Sequence, residues 1–231
     1  MTRTALITGA AGHLGRAVAA AFEAEGANLV LLDRTRARLD AAYGGDSPSR
    51  LLLACDLLDG AQVQAAVDGA IGRYGSIDVL CNIAGGFRMG EAVHETSDVT
   101  WAALFDLNGR TLLHAVRAVV PTMQLRGGGK VINVGAASAQ RGLAQMGAYT
   151  ASKAVVIRLT EAMAAELRDQ GINVNCVLPS IIDTPDNRAV MPEADPARWL
   201  APADLASVIR FLASDAARAV HGAAIPVTGL S

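Results

Sequence analysis

Only three cysteines occur in the chain, Cys55, Cys81 and Cys176, each in or beside an apolar run and none at close metal-ligand spacing from another. They read as small buried hydrophobes, so no disulfide framework, zinc site or other metal is expected. Charge of one sign is never massed either: 20 Lys and Arg are interspersed with 22 Asp and Glu, for a net charge of −2. Without a basic tract there is no electrostatic footprint for nucleic acid or an anionic membrane, and neither is expected as a partner. Apolar runs of the ~18 residues that suggest a membrane span are missing. The N-terminal MTRTALITGA passes directly into a short apolar segment, too short for a secretion signal, which makes a cytoplasmic location the expectation. Internal repeats and low-complexity tracts are absent as well.

What is present is a hydrophobic content of 52% over 231 residues, enough for one core and one domain spanning 1–231. Short, unalternating apolar runs recur at Ala5 to Thr8, Leu29 to Asp33, Leu51 to Cys55, Val79 to Asn82, Val131 to Val134, Val174 to Leu178 and Ile225 to Thr228. Such runs fit strands buried on both faces of a sheet. Between them lie Ala-rich segments with helical spacing, at Arg16 to Glu25, Gln62 to Tyr74, Trp101 to Arg126, Ala151 to Asp169 and Pro202 to Ser214. The alternation predicts an α/β fold: a Rossmann-like, three-layer, doubly wound parallel sheet of about seven strands. One stretch, about 179–202, has no strong period and is long enough to be a functional loop over a substrate.

Directly after the first strand, TGAAGHLG sets Gly9, Gly12 and Gly15 at the entrance of a helix. Glycines there allow a tight turn and close approach of a pyrophosphate to backbone N–H groups at the positive end of the helix. The same glycines would also serve a turn that only packs helix on sheet. Asp33 ends the second strand, 18 residues beyond Gly15 (33 minus 15), where a carboxylate accepts hydrogen bonds from ribose hydroxyls and repels a 2′-phosphate. NAD is therefore expected over NADP, although Arg34 and Arg36 follow and are able to turn toward a phosphate. Tyr149 and Lys153 stand four residues apart (153 minus 149) at the head of a helix, on one face. A lysine beside a phenol lowers the phenol's pKa and makes it a proton donor near neutral pH.

Taken together, these motifs resemble the short-chain dehydrogenase/reductase family from the first strand nearly to the last residue. CNIAGG is similar to the family's Asn-Asn-Ala-Gly signature, which maps to Asn82, Ala84 and Gly85, with Cys81 in place of the first asparagine. The resemblance implies adenine contacts from Asp56 and neighbouring Leu57, and a relay water bound by Asn108. It also implies catalysis by Tyr149 with Lys153, and carboxamide contacts near Pro179 from Thr184. His13 and Leu14 join the expected cofactor contacts of the glycine turn, whose Gly-x-x-Gly-x-x-Gly spacing is that of extended family members such as sugar-nucleotide epimerases. Where the family's usual Pro-Gly stands, this chain has Pro179-Ser180. Homodimers or homotetramers, formed through the two long helices after strands four and five, are implied in the same way.

A larger departure lies 13 residues before Tyr149 (149 minus 13), where most members carry a substrate-anchoring serine and this chain has Ala136. Ser138 replaces it only if the loop is shifted, and otherwise is structural. Dihydropteridine reductases work without that serine, and LPSIIDTPDNRAVMPEADPARW is similar to their loop after strand six. Their quinonoid substrate is already activated for reduction. Arg88, Asn187, Met191 and Trp199 are further candidates for a substrate pocket.

The expected activity is thus hydride transfer between a nicotinamide and a carbonyl, alcohol or quinonoid small molecule, with Tyr149 exchanging the proton, Lys153 lowering its pKa and holding the nicotinamide ribose, and Asn108 leading to solvent. A catalytically weak NAD(H)-binding sensor is the alternative that the missing serine suggests. Epimerisation, suggested only by the glycine spacing, has no room for a C-terminal substrate domain after the last strand.

Overall fold

Every strand of this chain is apolar on both sides, and the computed structural model, which describes residues 2–231, shows what each side meets. The strands are β1 (Thr4–Thr8), β2 (Asn28–Asp33), β3 (Arg50–Ala54), β4 (Val79–Asn82), β5 (Gly129–Val134), β6 (Ile172–Pro179) and β7 (Ala224–Val227). They form one parallel sheet in the order β3-β2-β1-β4-β5-β6-β7. Side chains alternate across it. Leu6, Val30 and Leu32 enter one core with Val67, Val119 and Val156. Their neighbours Ala5, Ile7, Leu29 and Leu31 enter the other with Val18, Phe22 and Ile209. Each such aliphatic side chain contributes about 1.5–3 kcal/mol on burial, so both layers of helices are held by the same strands.

The helices are α1 (His13–Glu23), α2 (Arg36–Tyr43), α3 (Gly60–Tyr74), α4 (Asp98–Phe105), α5 (Thr111–Arg126), α6 (Gly147–Leu167), α7 (Pro185–Val190) and α8 (Pro202–Leu212). Four of them, α2, α4, α5 and α7, differ from the sequence-based expectation. The sequence RARLDAAY buries only Leu39, so α2 has no apolar stripe to betray it; Thr35 accepts from the Arg38 N–H at its start and Gly44 closes it in the left-handed region. The expected single helix Trp101 to Arg126 is two helices joined by a π-helical turn, Asp106–Arg110. The stretch 179–202 is not structureless, since it contains α7, begun by Thr184 accepting from the Asn187 N–H.

Strand order reverses between β1 and β4, so the connections leaving their C-terminal ends run to opposite sides and open a crevice. Gly9 leaves β1 there with φ +65, and a Cβ on it would stand 2.9 Å from the Ala84 Cα that follows β4. Gly15 is tighter still: its Cβ would meet the Gly9 carbonyl oxygen at 2.3 Å, so only glycine lets α1 start against this turn.

Candidate active site

The glycine turn is braced from behind. The Asp33 carboxylate accepts from the Ala11 N–H at 3.1 Å, and the Tyr43 hydroxyl donates to the Ala10 carbonyl at 2.7 Å. Gly12 begins α1 with no side-chain cap, and the first turn carries no acidic residue, so the positive end of the helix is not neutralised by the chain itself. Leu14 is buried beneath it, while His13 approaches Arg16 and, at 3.8 Å, Asp186 on α7. Uncapped amides at the start of α1 and an inward carboxylate at the end of β2 fit a dinucleotide.

Asp33 has a partner that sequence reasoning missed. Arg38 stands 3.3 Å from its carboxylate, whereas Arg36 is turned away to Asp40, Asp46 and the Leu52 carbonyl. Arg36 is therefore unavailable to a 2′-phosphate, because its guanidinium holds α2 against β3. Beyond β3, Asp56 is exposed and accepts from the Leu58 N–H, and Leu57 is buried with its carbonyl taking a hydrogen bond from His114 Nδ1. Asn82 closes β4 and donates to Asn133, which donates to Thr160; Asn82 Oδ1 has no partner among the described residues.

At the centre, α6 presents Tyr149 and Lys153 on one face, both buried. Lys153 Nζ donates to the Val134 carbonyl at 3.0 Å, and burial pulls its pKa down to about 8. The phenol differs from its expectation. Burial pushes Tyr149 up to about 12 instead of Lys153 drawing it down, because its surroundings are apolar: Leu104, Ala136 and Ala148 pack on it, and the Phe87 ring lies edge-on with centroids 4.8 Å apart. Ala136 is buried in this wall, and Ser138, in the turn after it, is only partly buried.

Asn108 sits in the π-turn, a distortion that recurs at functional sites. Its Oδ1 accepts from the Gly86 N–H at 2.9 Å, and its Nδ2 donates both to the Gly86 carbonyl at 3.1 Å and to Ser152 Oγ at 3.0 Å. Both amide hydrogens are thus committed to the protein, and the side chain has no N–H left to offer a water. Gly85 is what lets this cluster close, since a Cβ there would stand 2.9 Å from both Asn108 Oδ1 and Lys153 Nζ.

A recess beside Tyr149 is lined by Arg88, Met89, Leu104, Gln145 and Met146. Of the four expected pocket residues only Arg88 is brought there, and it lies 3.9 Å from Glu91. Asn187 instead ties α7 to the Ile182 carbonyl, Met191 ends that helix and Trp199 is buried packing. Pro179 ends β6, and the neighbouring Ser180 hydroxyl is bonded to the Thr228 carbonyl. Sequence reasoning missed Phe87 and Ser152; the latter was findable as the residue one turn beyond Tyr149 on the same helix.

Known proteins resemble this chain in sequence and in fold. The chain is 34% identical over 239 residues to D-threitol dehydrogenase of Mycolicibacterium smegmatis, covering 98% of this chain and 92% of that protein. It is 37% identical over 182 residues to a sorbitol dehydrogenase of Cereibacter sphaeroides, covering 78% of this chain and 71% of that one. In structure it matches a 3-ketoacyl-(acyl-carrier-protein) reductase from Brucella melitensis complexed with NADH, with a TM-score of 0.87, 30% identity and coverage of 98% and 97%. The family model for short chain dehydrogenases matches residues 3–195, and with it the sheet order, the glycine turn and the Tyr149–Lys153 helix place this chain among the short-chain dehydrogenase/reductases, as an oxidoreductase built to use a nicotinamide cofactor.

Proposed function

We propose that the enzyme reduces a planar, conjugated carbonyl or quinonoid substrate, with Tyr149 as proton donor and NAD(H) preferred over NADP(H). The observation that carries this reading is the apolar setting of Tyr149. Burial raises the pKa of its phenol above the usual value, so the hydroxyl holds a proton for a carbonyl oxygen, and the wall of Leu104, Ala136, Ala148 and the edge-on Phe87 ring suits a flat, conjugated partner. With Ala136 at the serine position, no hydroxyl there polarises the substrate, so a compound that needs little polarisation is favoured.

In this reading the Gly9–Gly15 turn, including His13 and Leu14, holds the pyrophosphate. Asp33 takes the adenosine ribose, and Asp56 and Leu57 flank the adenine. Asn82, Ala84 and Gly85 border the path to the nicotinamide; Lys153 takes its ribose, and Pro179 with Thr184 its carboxamide. The bound nicotinamide supplies hydride chemistry at C4. Asn108 holds Gly86 in place, and the loop 179–202 covers the substrate. Homodimers or homotetramers through α4, α5 and α6 belong to this reading, supported by the exposed Trp101 and Val99 on α4; so does a cytoplasmic location. No helix among the described residues is long and apolar enough to cross a membrane.

A second reading, oxidation of a polyhydric alcohol, is favoured by the threitol and sorbitol dehydrogenases among the relatives. Initial rates separate the two: NADH oxidation with quinonoid pterins, quinones and diketones, against NAD reduction with threitol, sorbitol and xylitol. Faster turnover of the polyols at pH 7 would sink the reductive assignment. Tight NADH binding with no turnover in either panel would favour the sensor alternative.

A further inference from the structure

We infer that Ser152 is a positioning residue of this reaction, fixing the orientation of the Asn108 amide and through it the Gly85–Gly86 segment beside Lys153. The inference rests on the oxidoreductase reading of the Tyr149–Lys153 site. Ser152 is fully buried in the first turns of α6, and its hydroxyl has one hydrogen, which it donates to the Tyr149 carbonyl at 2.8 Å. Toward Asn108 it is therefore an acceptor only. The amide must then point its NH2 at Ser152, which it does at 3.0 Å, while at the other end the Gly86 N–H at 2.9 Å demands the amide oxygen.

The Gly86 carbonyl also takes an amide hydrogen at 3.1 Å, so three contacts, of which Ser152 is the one supplied by α6, select one of the two amide orientations, and the choice has an electrostatic consequence. Asn108 Oδ1 and Lys153 Nζ border the same space, the one a Gly85 side chain would fill. In the selected orientation a carbonyl oxygen faces the lysine's neighbourhood. A flipped amide would set an NH2 there, against a cation, and would leave the Gly86 N–H facing a donor. Ser152 thereby joins the π-turn to α6 through one hydroxyl, and reaches the loop after β4 through the Asn108 amide.

The test compares Ser152→Ala, Ser152→Cys and Ser152→Thr in the full chain. With the best substrate of the two panels, kcat in the Ala and Cys variants should fall about 10- to 100-fold, while the NADH Kd, read by fluorescence titration, stays within about twofold. Thr keeps the hydroxyl and should restore most of the rate. A purely steric role predicts the reverse order, with Cys near wild type and the bulkier Thr worst, and that order would overturn the inference. In an Asn108→Ala background Ser152→Ala should add no further loss; additive losses would also overturn it. Hydrogen exchange gives a readout that needs no substrate: the peptide containing Gly86 should exchange at least about fivefold faster in Ser152→Ala and near normally in Ser152→Thr. Unchanged exchange in Ser152→Ala defeats the inference whatever the enzyme's substrate. Failure of Tyr149→Phe to lower turnover would instead remove the catalytic assignment and leave the exchange result to be judged alone.

Discussion

On the β1–β2 side of the crevice the glycine turn is tied by polar contacts: Asp33 takes the Ala11 N–H and Tyr43 bonds the Ala10 carbonyl, while Arg38 stands over Asp33. On the β5–α6 side, Tyr149 is bordered by Leu104, Ala136, Ala148 and the exposed ring of Phe87. The first side is built like a socket, its turn held in place by side-chain hydrogen bonds from Asp33 and Tyr43. The second offers an apolar wall against the phenol, with Arg88, Glu91 and Gln145 at the recess beside it. A ligand with constant chemistry rewards the first design, because preorganised polar groups lose little on binding. The second leaves the choice of substrate to apolar contact, to the Tyr149 phenol and to the Arg88, Glu91 and Gln145 side chains that also line the recess.

The sharpest way to break this contrast is Tyr149→Phe. It keeps the ring packing against Phe87 and removes only the hydroxyl, so turnover should fall about 10²- to 10⁴-fold while NADH affinity is unchanged. Steady-state rates with a fluorescence titration check it, and a parallel loss of affinity would mean the two sides are not separable.

Lys153 comes next, since it lies between the two sides. In the folded protein its ammonium is disfavoured by burial, with a pKa near 8 against 10.5 when unfolded. Between those values the unfolded chain binds more protons than the folded one, so stability rises with pH from about 8 to about 10.5 and the cost of the buried cation is fully present below that window. Lys153→Met should therefore abolish turnover yet stabilise the protein at pH 6, by up to about 3 kcal/mol on this shift. Urea melts of both proteins at pH 6 and pH 10 test the sign: the advantage must shrink at the higher pH.

A change confined to the socket should read out only there. Asp33→Ala is expected to weaken NADH binding about tenfold or more by removing a charged acceptor, and to free Arg38 for a 2′-phosphate, raising the NADP-to-NAD preference. Titration with both cofactors measures it, and an unchanged ratio would mean that Asp33 serves the turn alone. The smallest effect is expected from Ala136→Ser. Restoring a hydroxyl in the apolar wall should raise kcat/KM for simple ketones a few-fold, up to about tenfold, and leave quinones nearly unaffected. Equal gains for both classes would contradict the argument from substrate activation.

The socket was legible in the sequence because its signals are local: glycines three apart directly after a strand, and a carboxylate at the end of the next one. The doubly wound sheet was legible for a related reason, since strands buried on both faces stand out as short apolar runs between longer helical segments. Helix α2 was not, because its stability comes from Thr35, Gly44 and the Arg36 contacts and only Leu39 is buried. Of the Tyr149 wall only Ala136 was legible, by its spacing from Tyr149. Leu104 and Phe87 are far from it in the chain and meet it only through tertiary packing, which no periodicity records. Four-residue spacing puts Tyr149 and Lys153 on one face but does not record how deeply each is buried, and burial is what raises the phenol and lowers the ammonium.

The π-turn at Asp106–Arg110 carries one more implication, best put in terms of insertions and deletions. A π-turn holds one residue more than the α-helical turn it replaces, so α4 and α5 run out of phase by one position. Deleting a single residue between Phe105 and Thr111 would let the two helices fuse into a regular one with little loss of helical hydrogen bonding. The repaired helix would then carry Asn108 about 100° around its axis, away from Gly86 and Ser152. At this point of the chain the number of residues, and not their identity alone, sets where Asn108 points, and the defect in the helix is what sets it.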